Sequence, residues 1–186
     1  MRLWPEVSQR FGAYATVAIQ ALPHMPAEFR AQVEQAARAW KAAPPETEPN
    51  PYGVPITTGG WAGNGAVIQA GLTDHAIHTA FPELSDGAQV FRALDYLHGT
   101  HPGHNLSFVS GVGARSKEVA YGMNRADFSY IAGGVVPGVL VLKPDFPENK
   151  EDWPFFWGQN EYVVNMTPSY VALVHAAMAQ TGNGAQ

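Results

Sequence analysis

Thr167-Pro168-Ser169-Tyr170-Val171-Ala172-Leu173-Val174-His175-Ala176-Ala177-Met178 is the stretch whose pattern is clearest. Thr167 suits a helix cap and Pro168 the first helical position, where a missing N–H costs nothing. Tyr170, Val171, Val174, Ala177 and Met178 then recur at three- and four-residue spacing, one face of a helix. Moving upstream, the same period appears four more times. Ser85 is placed to cap a helix in which Val90, Leu94 and Leu97 share a face and Gly99 supplies the stop. Asn64 is placed to cap another, from about Gly65 to Ala80. Pro26 opens a helix carrying Phe29, Val33, Ala36, Ala37 and Trp40, with Glu28 near its positive end. Ser8 to Leu22 places Phe11, Tyr14, Ala15, Ala18, Ile19 and Leu22 on one face before Pro23 stops it. Five helices in this order predict an all-α chain.

Between Thr100 and Asn160 the helical period is lost to glycine, proline and aromatic residues. Short strands are predicted at Leu106–Ser110 and Val139–Leu142, the rest being long loops. Such loops are uncommon in a compact domain unless they carry function. At 186 residues the chain is read as a single domain, residues 1–186.

Composition narrows the partners. Apolar residues make up 46% of the chain, enough for a packed core, and charged ones only 15%, against roughly 25% on average. With 11 basic and 16 acidic residues (net charge −5), no basic stripe exists for a nucleic-acid backbone. The longest uncharged apolar run, Ile131 to Leu142, is broken by Pro137 and is too short to span a bilayer, so no membrane association is predicted. Met1-Arg2-Leu3-Trp4-Pro5-Glu6 lacks the apolar core of a signal peptide. The absence of cysteine removes disulfide, thiolate-zinc and iron–sulfur chemistry.

Chemistry concentrates in Glu148 to Tyr162, where Trp153, Phe155, Phe156 and Trp157 are interleaved with Asp152, Gln159, Asn160 and Glu161. Rings beside carboxylates and amides suit a sugar: pyranose faces stack on Trp and Tyr, and hydroxyls bond to Asp, Glu, Asn and Gln. The same rings could equally be loop residues folded onto the helices. His98, His101 and His104 form a spaced run that could bind zinc or copper, or simply be loop histidines. Asp74 and His75 read as an exposed helix pair, with acid–base use as the alternative. Gly111-Val112-Gly113 is followed by Ala-Arg-Ser-Lys rather than a phosphate cradle, and no Gly-x-Ser-x-Gly elbow is present.

Asn160-Glu161-Tyr162-Val163-Val164-Asn165, with the helix that follows, resembles the closing motif of glycoside hydrolase family nine, the inverting cellulases. Three upstream segments resemble the same family in order: Gly59 to Gly65, Leu94 to Gly99 with Ser107 to Gly113, and Pro137 to Val141. The resemblance runs from about residue 10 to residue 178. It implies part of an (α/α)6 barrel, too short to close, and cleavage of β-1,4-glucan with no cofactor. Glu161 falls where the family keeps its general acid, and Asp152 near a family aspartate. Arg125 matches the arginine of a His-His-Arg sugar-binding motif whose histidines are here Met123 and Asn124. Asn160 is assigned to sugar hydroxyls, and Tyr121, Trp153 and Trp157 to stacking. The family's Asp-Ala-Gly-Asp motif, which carries the base, has no counterpart in the chain. Asp127, Asp145, Glu148, Glu151 and Asp152 are the carboxylates available to replace it. An inverting pair stands roughly 6.5–9.5 Å apart. A partial barrel also leaves helix faces uncovered, which predicts a homodimer. Family members are usually exported.

Overall fold

The computed structural model describes residues 11–42, 50–56, 63–100, 105–117, 130–139 and 161–182. Among these, five α-helices dominate: α1 (Phe11–Ala21), α2 (Ala27–Ala42), α3 (Asn64–Ala80), α4 (Ala88–Leu97) and α5 (Met166–Gln180). A 3-10 turn at Leu22–His24 joins α1 to α2, and β1 (Leu106–Ser107) pairs in parallel with β2 (Arg115–Ser116). The chain is therefore all-α in class, with a minor two-stranded sheet. No helix among the described residues is long and apolar enough to cross a membrane.

The central element is α3, which packs against α1, α4 and α5. Its first half joins one apolar cluster through Val67 and Ile68, together with Val90, Leu97, Phe108 and Leu173. Its end joins another: Ile77 in the last turn and Phe81 just after the helix meet Phe11, Ala15 and Ala18 of α1 and Val33, Ala36 and Ala37 of α2. Two glycines let helices come close. A Cβ at Gly71 would lie 2.6 Å from Leu173 Cδ1 and 3.3 Å from the Ala93 Cβ, so α5 and α4 approach α3 at that turn. A Cβ at Gly12 would lie 2.9 Å from the Trp40 indole nitrogen, which lets α2 lie against α1. The Gly12 carbonyl accepts the Thr73 hydroxyl at 3.1 Å, tying α1 to α3.

The helix starts differ in detail from the sequence reading. At α2 the Pro26 carbonyl accepts the Phe29 and Arg30 N–H groups, so Pro26 sits just before the helix instead of inside it. At α3 the helix begins with Asn64 itself after Gly63 (φ 86°), and the Asn64 amide is 99% buried, not capping. At α4 Ser85 does not cap. Gly87, in the left-handed region (φ 75°), precedes the helix, and the Ala88 and Gln89 N–H groups go to carboxylates of Asp86 and Asp74. That bond from Ala88 holds the exposed Asp86 carboxyl below its usual range. At α5 the helix starts at Met166, placing Pro168 at the third position, still within the turn whose N–H groups have no helical partner. Thr167 instead accepts the Val135 N–H at 3.4 Å.

The irregular segments knit onto one end of this bundle. Residues 105–110 lie between two partners: Lys117 N donates to Ser107 O on one side, Val136 N to Phe108 O on the other. Val109 and Val135 form an antiparallel bridge. The strand predicted over Leu106–Ser110 is thus present in part. Val139 is buried but not in a strand, and residues 140–142 lie outside the described residues. The segment at 136–137 then docks on the start of α3, where the Asn64 N–H donates to Pro137 O and its side-chain amide to Val136 O, at 2.8 and 2.9 Å.

Candidate functional site

Glu161 stands five residues before α5 and is half-buried. No ion pair among the described residues involves it. Its neighbour Tyr162 is held firmly. A Cβ at Gly134 would fall 2.5 Å from the Tyr162 ring, so the ring lies on bare backbone there. The Tyr162 hydroxyl is 2.7 Å from the Ser110 Oγ and accepts the Ile131 N–H at 3.1 Å. Ser110 is fully buried and also bonds to the Lys117 carbonyl.

Around this anchor the surface is apolar and open. Tyr130 is 55% exposed, Ile131 53% and Val164 90%. The Tyr130 hydroxyl rests against Gly111, whose φ of 76° and missing side chain leave room for it. An accessible tyrosine ring among exposed apolar side chains can take the C–H face of a sugar.

Of the residues assigned to the site from sequence, Glu161 alone is described. Asp152, Arg125, Asn160, Tyr121, Trp153 and Trp157 lie outside the described residues, as do Asp127, Asp145, Glu148 and Glu151. His101 and His104 do too. His98 is described: its Nε2 is 2.9 Å from the Tyr170 hydroxyl, with the rings edge-to-face at 5.8 Å. Burial lowers the His98 pKa, against an opposing pull from Asp95, and raises that of Tyr170. Among the described residues no group of three or more histidine, aspartate or glutamate side chains could hold a metal ion.

The Asp74–His75 expectation needs correction. Asp74 is 99% buried rather than exposed. Its carboxylate takes the Lys41 ammonium at 2.9 Å, the Ser85 hydroxyl at 2.5 Å and the Gln89 N–H at 3.2 Å. The physical reason is the start of α4, whose unpaired N–H groups attract a carboxylate. His75 turns elsewhere, its Nδ1 facing the Gln180 amide at 3.2 Å, while His78 Nδ1 donates to Ser85 O at 2.8 Å. Burial, helped by His78, pushes the His75 pKa down against the pull of Asp74. Ten residues of α3 separate Asp74 from Asn64, about 15 Å along the axis at 1.5 Å per residue. Asp74 is thus fully engaged in the second half of α3, away from the end on which residues 136–137 dock.

The sequence reading also missed Lys117, which is 95% buried on the ladder beside Ser107, and it missed the role of Ser110. A lysine in a Gly-rich loop gives no sequence signal of burial. An aspartate in the middle of the apolar α3 does give one, and for Asp74 it could have been used. Compared with known proteins, the chain matches no family model, no curated protein and no solved structure.

Proposed function

We propose that this chain is a cellulase-like glycoside hydrolase acting on β-1,4-glucan, with Glu161 as general acid. The reading rests on the motif resemblance, and one structural observation carries it furthest. Glu161 is half-buried next to a tyrosine locked by hydrogen bonds to Ser110 and to the Ile131 N–H, the residue after the exposed Tyr130. In such a reaction Glu161 gives its proton to the leaving glycosidic oxygen as the bond to the anomeric carbon breaks. Water, deprotonated by a second carboxylate, completes that carbon from the opposite face. Asp152 is the first choice for this base. Arg125 and Asn160 would hold sugar hydroxyls, and Tyr121, Trp153 and Trp157 would offer stacking faces.

The helix arrangement is compatible with part of an (α/α)6 toroid. In that reading α1, α3 and α5 lie side by side as one layer, with α2 against α1 and α4 against α3 and α5. Neither α1 nor α5 carries an Asp, Glu, Lys or Arg, yet α1 exposes Tyr14 and Val17 and α5 exposes Val171 and Met178. A second copy of the chain covers these faces without desolvating a charge.

The test is release of reducing ends from a soluble cellulose derivative. Turnover that Glu161→Gln abolishes supports the enzyme. The second reading, a non-catalytic carbohydrate-binding or structural remnant, is favoured by the missing base motif and by the engagement of Asp74 elsewhere. Binding of cello-oligosaccharides without turnover would establish it.

A further inference from the structure

The Tyr162 hydroxyl joins three segments distant in the chain, and its proton bookkeeping is complete. Ser110 has one hydroxyl proton, and it goes to the Lys117 carbonyl, an oxygen that can only accept. In the Ser110–Tyr162 pair the donor is therefore Tyr162. The Tyr162 oxygen, its own proton spent on Ser110, accepts the Ile131 N–H. The ring cannot slide away from these bonds easily, because it lies on Gly134 in a space that a side chain there would fill. Ser110 belongs to the buried ladder, Ile131 follows the exposed Tyr130, and Tyr162 follows Glu161.

Glu161 directly precedes Tyr162, so the bonds that fix Tyr162 also fix the backbone from which the Glu161 side chain leaves. The same hydroxyl fixes the backbone next to Tyr130. We propose that Tyr162 is a positioning residue, its hydroxyl tying the backbone that carries the Glu161 proton donor to the backbone that carries Tyr130 and to the buried Ser110. The inference rests on Glu161 being the acid. A shift of about 1 Å in a reacting group is enough to lose about two orders of magnitude in rate.

The experiment uses the full chain and the Tyr162→Phe variant, which keeps the ring on Gly134 and deletes one oxygen. On carboxymethyl cellulose, kcat falls about 10- to 100-fold while KM stays within about twofold, since ground-state binding is retained. Ser110→Ala, which removes the acceptor and leaves the tyrosine whole, moves kcat the same way, and the double variant is no worse than the poorer single one. Amide hydrogen exchange at Ile131 quickens in Tyr162→Phe. An unchanged kcat with quickened exchange overturns the proposal, because the hydroxyl would then be a structural tie alone. Turnover that survives Glu161→Gln, or no turnover by the wild type, defeats the acid assignment instead. The tie is then judged on the side-chain carboxyl 13C resonance of Glu161. A shift of that resonance in Tyr162→Phe supports the positioning role, and an unmoved resonance refutes it.

Discussion

The Lys41 ammonium at the end of α2 meets the Asp74 carboxylate of α3 at 2.9 Å, and only the lysine side of the pair reaches water. The carboxylate also receives Ser85 and the start of α4, so three helices converge on one buried charge. Removing Lys41 leaves that charge without its counter-ion. Lys41→Met should destabilise the chain by about 2–3 kcal/mol, and Asp74→Ala by about 3 kcal/mol or more, since it also strands the Gln89 N–H. Urea denaturation of both variants measures the two losses.

At Gly71 two effects oppose each other. Alanine there gains about 1 kcal/mol of helix propensity. Its methyl, however, would lie 2.6 Å from Leu173 Cδ1, and Leu173 is fully buried with no room to retreat. Overpacking costs about 1–3 kcal/mol, so Gly71→Ala is predicted to lower the melting temperature. An equal or higher Tm would show that α5 can shift outward.

Two histidines make stability fall with acid. His75 and His98 both have pKa values held below the ordinary histidine value of 6.5, chiefly by burial. A group whose folded pKa is depressed contributes stability that is present above its unfolded value and lost as pH falls through the folded one. The loss therefore begins near pH 6.5 and continues below it. Thermal melts between about pH 8 and pH 5 should show the decline, and a His75→Gln, His98→Gln double variant should flatten it.

Association is the fourth prediction. Sedimentation at micromolar concentration should give a mass near twice 20.0 kDa. Val17→Lys, at a position 66% exposed and therefore harmless to the core, should return the monomer. A wild-type chain that sediments as a monomer would remove the second copy from the proposal.

Helical period identifies every long element among the described residues because the buried positions obey it: Val33, Ala36 and Ala37 in α2 and Val90, Leu94 and Leu97 in α4 are all in the core. The caps were less legible. Ser85 and Thr167 have the right chemistry for a cap, but each is claimed by a distant segment, Asp74 and Val135 respectively. Tertiary partners of that kind leave no local signature. The site shows the same division. Glu161 is visible in the sequence by its neighbours, whereas Ser110 and Gly134 matter because they lie under Tyr162, 52 and 28 positions away in numbering. Tyr14 on α1 and Val171 and Met178 on α5 depart from the pattern, each on its expected apolar face yet exposed, while Leu173 and Ala176 take the core side of α5 instead.

Because α3 lends one end to each of the two apolar clusters, neither half of the molecule owns a complete interior. Melting α1 and α2 would strip Ile77 and Phe81 of their cover and loosen the very helix whose other end holds residues 136–137 and packs against Met166. The protein should consequently come apart in one cooperative transition, with damage to the amino-terminal hairpin felt at the opposite end as lost order.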